Sequence, residues 1–306
     1  MALLNLSGFT GFHDPVIVKE KDTYYCFSTH GIASTSKDLC SWGNPFRVYE
    51  KNLPWVKKMI PSNNDDMWAP EVVFRNGVWR MYYSVSTFGK NISLIGLMEN
   101  KTLDPASQDY KWEDKGLVVS SCEKDNFNAI DPAVCKDENG KDYLIFGSFW
   151  KGIMLIALDE NGLPLKEEKP LCIASRGNGG KNPLRDENPI EGAFIFKRGE
   201  YYYLFASHDF CCRGTASTYH IVLGVSKDIK GPYLDATGYE LLNGGGTTLR
   251  DGSSFTRWAG PGHNTVFHDT DGKDYLVYHA YDRTKNGENS LMIEPVIWKD
   301  DWPCFD

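Results

Sequence analysis

Asp14, Glu71, Asp131, Glu191 and His263 recur at intervals of 57, 60, 60 and 72 residues, each at the head of a short apolar run. Brought to one place, four carboxyl groups and one imidazole would do acid/base chemistry. Carboxylates crowded in a partly dry site cost energy unless a proton, a hydrogen bond or a cation offsets their charge, and the crowding drives their pKa values apart. One protonated and one ionised carboxyl facing each other across a bond is the arrangement that hydrolyses a glycoside. Inversion needs room for a water between them, a gap of roughly 6.5–9.5 Å. An acid at a strand start also serves as a cap or turn residue, and Asp-Pro is a common turn opener. The chemistry therefore depends on whether the fold makes these residues converge.

The elements that would position them are five similar segments: 13–29 (HDPVIVKEKDTYYCFST), 69–86 (APEVVFRNGVWRMYYSVS), 130–148 (IDPAVCKDENGKDYLIFGS), 190–207 (IEGAFIFKRGEYYYLFAS) and 262–280 (GHNTVFHDTDGKDYLVYHA). Each runs from a small or acidic polar patch into apolar residues. A turn rich in Gly, Asp, Asn or Lys follows, then an aromatic and β-branched strand, which is the signature of a β-hairpin. Further strand-like runs at 93–100, 152–160 and 220–228 supply a second pair to each unit. A spacing near sixty residues fits a four-stranded sheet, and five such sheets predict an all-β, five-bladed β-propeller, read as one domain over residues 1–306. The alternative is a β-sandwich whose hairpins are alike by chance. No window sustains the apolar spacing of an amphipathic helix for ten residues. The first strand of each propeller blade lines the central channel, so the five polar residues above are expected around one axis.

The 306 residues carry 41 aromatics (13%) and a formal net charge of −8. An apolar content of 41% excludes a disordered chain. The acidic balance, with no basic stripe, argues against nucleic acid, and a negative field disfavours anionic membranes and polyanionic substrates. A neutral ligand follows, and the aromatic excess points to a sugar. No apolar run reaches the length that spans a bilayer. The start, MALLNLSG, lacks a basic n-region, so the chain as given reads as cytoplasmic or as a secreted protein whose signal has been removed. Eight cysteines without a CxxC pair argue against a zinc ribbon and are read as mostly free thiols. Cys211 and Cys212 are adjacent and could bond only through a strained ring. No organic cofactor is implied, and a monomer is the default for one propeller.

Six motifs carry a family resemblance: HDP (13–15), WAPEV (68–72), NAIDPAV (128–134), IEGAF (190–194), DFCCRG (209–214) and GPGHNTV (260–266). Together they resemble glycoside hydrolase family 43, and within it the endo-1,5-α-L-arabinanases, from about residue 11 to the segment 291–303. The resemblance implies an inverting mechanism. Asp14 matches the general base that activates water, Glu191 the general acid, and Asp131 a third acid that raises the pKa of the acid and orients it. Where the family more often reads IEAP, this chain has Gly192, a change expected to alter the local backbone. His263 matches the single protein ligand of a hydrated cation in the channel, calcium being the expected ion; His279 is the second candidate. A packing histidine on an inner strand is the plainer reading of either.

Trp68, Phe88 and Trp150 flank channel strands and are the candidates for stacking on a sugar ring, blade core being the common alternative. Asn128 and Ser148 resemble groups that bond sugar hydroxyls. Arg213 would fix Glu191 or a substrate hydroxyl, or else form a buried structural ion pair. A β-xylosidase or α-L-arabinofuranosidase of the same family shares the three acids. A non-catalytic sugar-binding propeller and a WD-type scaffold are the readings from other classes.

Overall fold

The computed structural model describes residues 3–166, 168–177 and 187–305. Among them five antiparallel sheets are arranged as the blades of a β-propeller. Their innermost strands are Val16–Glu20, Trp68–Arg75, Ala133–Lys136, Ile190–Arg198 and Trp258–His268, each followed outward in sequence order by its partners. Blades two to four have four strands each, and blade five has three. In blade one, Ser7–Gly8 pairs in parallel with Ser41–Trp42.

The second strand of each blade shows why these residues fold this way. A strand sends alternate side chains to opposite faces, and in a propeller both faces are covered. In Thr23–Ser28, Tyr24 and Cys26 pack against blade five, while Tyr25 and Phe27 pack against blade two. In Tyr201–His208, Tyr202, Leu204 and Ala206 face blade three, and Tyr203 and Phe205 face blade five. Five apolar clusters of this kind fill the five gaps between neighbouring sheets. Most of the aromatics are spent here. Each fully buried ring contributes on the order of 1.5–3 kcal/mol, which pays for ordering the strands.

The N-terminal segment closes the ring. The Leu4 amide donates to the Ile293 carbonyl (2.9 Å) and the Leu291 amide donates to the Thr10 carbonyl (2.7 Å), so this segment lies against the outer strand of blade five. Phe12 then fills the cluster between the last blade and the first. The α-helix among the described residues, Pro54–Met59, spans six residues and starts on a proline, too short to leave a periodic trace in the sequence. No helix among these residues is long and apolar enough to cross a membrane.

Candidate active site

Each inner strand is preceded by or contains a residue in the left-handed region that recurs from blade to blade: Asp14 (φ 54°), Ala69 (40°), Asp131 (58°), Gly192 (54°) and His263 (51°). Four of the five are not glycine, and such residues cost of order 1 kcal/mol or more each, a strain that concentrates at functional sites. A side chain on a second strand, or on the residue just after it, holds the amide of four of them. Thr29 Oγ1 accepts from Ala69 (2.8 Å), Ser84 Oγ from Asp131 (3.0 Å), Ser207 Oγ from His263 (2.7 Å) and His279 Nδ1 from Asp14 (3.1 Å). The fifth amide, that of Gly192, donates instead to Oδ2 of Asp131 at 3.2 Å.

This register corrects the expected set of five. The position equivalent to Asp14 and Asp131 is Ala69 in blade two, and Glu71 lies two residues further along its strand. Glu71 is buried and does not line the cavity at the channel mouth, whereas Asp14, Asp131, Glu191 and His263 do. Desolvation lifts the Glu71 carboxyl to about 8. Gly192 does not distort the backbone, because it adopts the conformation its counterparts share. Its missing side chain also makes room: a Cβ there would sit 3.0 Å from the His263 ring.

The cavity holds about 630 Å³. On one wall, Asp14 accepts from Thr29 Oγ1 at 2.6 Å and contacts His13 Nδ1 at 2.9 Å and His263 Nδ1 at 3.1 Å. Burial alone would raise its pKa, but His13 and His263 hold it well below the ordinary carboxylate range. The motifs assign no role to His13, Thr29 or Tyr281, although His13 opens HDP and Tyr281 directly follows the segment 262–280. The Tyr281 hydroxyl lies 2.9 Å from His13 Nε2, 3.2 Å from His279 Nε2 and 2.8 Å from the Cys212 amide. Because His279 Nδ1 accepts from Asp14, its Nε2 carries the proton. His279 and Cys212 thus fill both lone pairs of the Tyr281 oxygen, and the Tyr281 O–H is left to donate to His13 Nε2. Burial opposes a charge on His13 while Asp14 draws it up to about 10. A second ring proton would give Tyr281 three N–H donors for two lone pairs, so the hydrogen-bond count favours a neutral His13 that donates through Nδ1 to Asp14.

On the other wall, Ser148 Oγ donates to Oε2 of Glu191 at 2.6 Å. Burial raises the pKa of Glu191, and burial, reinforced by Glu191 and Asp14, raises Asp131 to about 8. These two buried groups share a site that holds one negative charge more easily than two. Each also accepts one hydrogen bond that favours its ionised form, Glu191 from Ser148 and Asp131 from the Gly192 amide, and their shared burial still favours holding a proton between them.

His279 is fully buried, with its ring nitrogens engaged by the Asp14 amide and the Tyr281 hydroxyl, and it stands with His13 and Asp14 in a group whose potential ligand atoms lie within 4.8 Å of one another. His263 lines the cavity, with Nδ1 taken by Asp14 at 3.1 Å and Nε2 as its remaining ring nitrogen. A carboxylate on the far nitrogen is the usual support of a metal-bound imidazole. Burial opposes its charge, but Asp14 and Asp131 lift His263 to about 9.

Trp68, Phe88, Asn128, Ser148, Trp150 and Arg213 all line the cavity. The Trp68 indole N–H donates to Asp66 (2.9 Å), which is paired with His30 (3.0 Å), so the ring is held in place by residues no motif indicated. Phe88 is 72% exposed at the rim. Asn128 Oδ1 accepts from Ser93 (2.6 Å), which leaves its amide nitrogen as the free donor. Arg213 forms no ion pair among the described residues, with Glu191 or otherwise. It is exposed, and its guanidinium lies 4.1 Å from the centre of the Phe210 ring. Its loop carries it past the buried acids to the mouth. All eight cysteines are free thiols.

A propeller whose channel-mouth cavity brings together one carboxyl held below the ordinary carboxylate range and two raised above it has the site of a glycoside hydrolase. The chain belongs to glycosyl hydrolases family 43, whose model matches residues 8–303. It is 44% identical over 304 residues to the extracellular exo-α-(1→5)-L-arabinofuranosidase ArbA of Cellvibrio japonicus, covering 96% of this chain and 86% of that one. It is 37% identical to the extracellular endo-α-(1→5)-L-arabinanase 1 of Bacillus subtilis, covering 96% and 87%. Among solved structures, the Cellvibrio cellulosa α-L-arabinanase complexed with arabinohexaose superposes with a TM-score of 0.90 at 43% identity, covering 96% of this chain and 95% of that one.

Proposed function

We propose that this enzyme hydrolyses α-1,5-L-arabinofuranosidic bonds within arabinan and arabino-oligosaccharides, with inversion. The observation that carries the chemistry is the opposed environment of two carboxyls in one cavity, Asp14 held well below the ordinary carboxylate range and Glu191 raised above it. The names of the relatives supply the substrate. Asp14 orients a water and takes its proton late. Three donors make it a weak base, but a transition state resembling an oxocarbenium ion asks for little proton abstraction. Glu191 protonates the leaving oxygen, and Asp131 holds the adjoining backbone and keeps Glu191 protonated. Trp68, Phe88 and Trp150 offer ring faces to the furanose units, and Asn128 and Ser148 offer polar groups to the hydroxyls.

A panel of debranched arabinan, aryl arabinofuranoside and aryl xyloside tests the substrate reading. Cleavage of arabinan to mixed oligosaccharides is expected; cleavage of the xyloside alone would refute it. Accumulation of one short product from the outset would instead favour the exo action named for the Cellvibrio relative.

Asp131→Asn removes the anion that keeps Glu191 protonated. The acid is lost as pH rises through its pKa, so the basic limb of the pH–rate profile should move down by about one unit, with kcat falling on the order of 100-fold. Kinetics between pH 4 and 9 check both.

His263 Nε2 would hold a hydrated cation, calcium on the reading above, which would offset the carboxylate charge in the channel. Thermal unfolding checks this. Calcium added to chelator-treated protein at a hundred times its Kd should stabilise it by about 2.7 kcal/mol. His263→Ala should abolish that gain.

A further inference from the structure

Phe210, Cys211, Cys212, Arg213 and Gly214 are consecutive, and all five line the cavity. The two sulfurs lie 2.7 Å apart, about 0.7 Å beyond a disulfide bond length. Cys212 is exposed, and its Sγ lies 3.9 Å from His13 Nε2. The backbone of the same residue donates to Tyr281, the hydroxyl that holds His13 and through it Asp14. The thiol pair is therefore both a wall of the site and a neighbour of the residues around Asp14, and nothing in hydrolysis uses it. Reactive thiols are found in accessible positions, whereas structural ones are buried, as Cys26 and Cys135 are here.

We propose that Cys211 and Cys212 form a reversible vicinal disulfide, and that the closed ring fixes the 210–214 loop in its sugar-binding shape. The proposal rests on the reading of this cavity as a glycoside site. The oxidant is a small-molecule disulfide such as oxidised glutathione. The Cys212 thiolate attacks one of its sulfurs and expels a first glutathione thiolate. Cys211 then attacks the Cys212 sulfur of the mixed disulfide and expels the second. The two cysteine protons pass to the departing thiolates, so two thiols and one disulfide become one disulfide and two thiols. The bond removes the independent rotation of two wall residues. Ordering that substrate binding would otherwise have to impose is then already in place. The ring is also less polar than two thiols and suits the apolar face of a furanose.

The whole enzyme is equilibrated with glutathione buffers of graded redox ratio, quenched with an alkylating reagent and mapped by mass spectrometry. KM is measured in parallel on whichever glycoside of the panel is cleaved fastest. The expected result is a 211–212 peptide two mass units lighter and unalkylated in oxidising buffer. KM should be at least threefold lower than after dithiothreitol, with kcat changed less. Cys211→Ala and Cys212→Ala should remove the redox dependence of KM. A peptide that stays doubly alkylated, or stops at the glutathione adduct, overturns the ring. A ring that forms with KM unchanged overturns its role in the wall. The mass shift is read without any substrate, so an error about arabinan leaves it standing.

Discussion

Glu191→Gln is expected to lower kcat/KM on debranched arabinan by about a thousandfold or more, while leaving most of the activity on an aryl arabinofuranoside with a nitrophenolate-type leaving group. General acid catalysis supplies roughly 10²–10⁴ in rate, and the whole of that is needed only where the departing oxygen is a poor leaving group, as a sugar alkoxide is. A nitrophenolate leaves unprotonated. The glutamine keeps the side-chain volume and can still accept the 2.6 Å hydrogen bond from Ser148, so folding should be little affected. Equal losses on both substrates would mean that Glu191 serves binding or structure instead. Steady-state kinetics on the two substrates distinguish these outcomes.

Asp14→Ala should behave differently. Water must be activated whatever the leaving group, so the loss, on the order of 10⁴-fold in kcat, should appear on arabinan and on the aryl substrate alike. The substitution also strips Thr29 Oγ1, His13 and His263 of their shared acceptor. Unpairing a buried donor costs about 1–3 kcal/mol, so the unfolding midpoint should fall as well. Asp14→Asn serves as the control, since its amide oxygen can still accept while its basicity is gone: activity should stay low and stability should largely return. Thermal unfolding beside single-turnover rates separates the two effects.

The period of the hairpins made the propeller legible before any coordinates, because apolar and aromatic residues must alternate to fill both gaps beside a blade. Asp14, Asp131, Glu191 and His263 were legible for the same reason, as polar residues recurring at the head of each unit. Glu71 misled, because spacing by residue type does not register backbone conformation. The shared left-handed position falls on Ala69, and a displacement of two residues took the carboxyl away from the mouth. His279 is a different case: its nitrogens are occupied by the Asp14 amide and the Tyr281 hydroxyl, partners no spacing indicates, yet it stands with His13 and Asp14 in a group whose potential ligand atoms lie within 4.8 Å of one another. Asp66, Thr29 and Tyr281 reach the site from loops and second strands, where no repeat marks them. Their roles rest on distances of 2.6–3.2 Å that sequence does not encode directly.

The assignment of Asp14 as the base of an inverting reaction is tested most directly by the anomer first released. Oligosaccharide cleavage by the native enzyme, followed by proton NMR before mutarotation sets in, should show β-L-arabinofuranose configuration at the new reducing end, opposite to the α-linkage broken. An α-configured first product would mean that a carboxylate attacks the sugar directly, and it would contradict the water-activating role of Asp14.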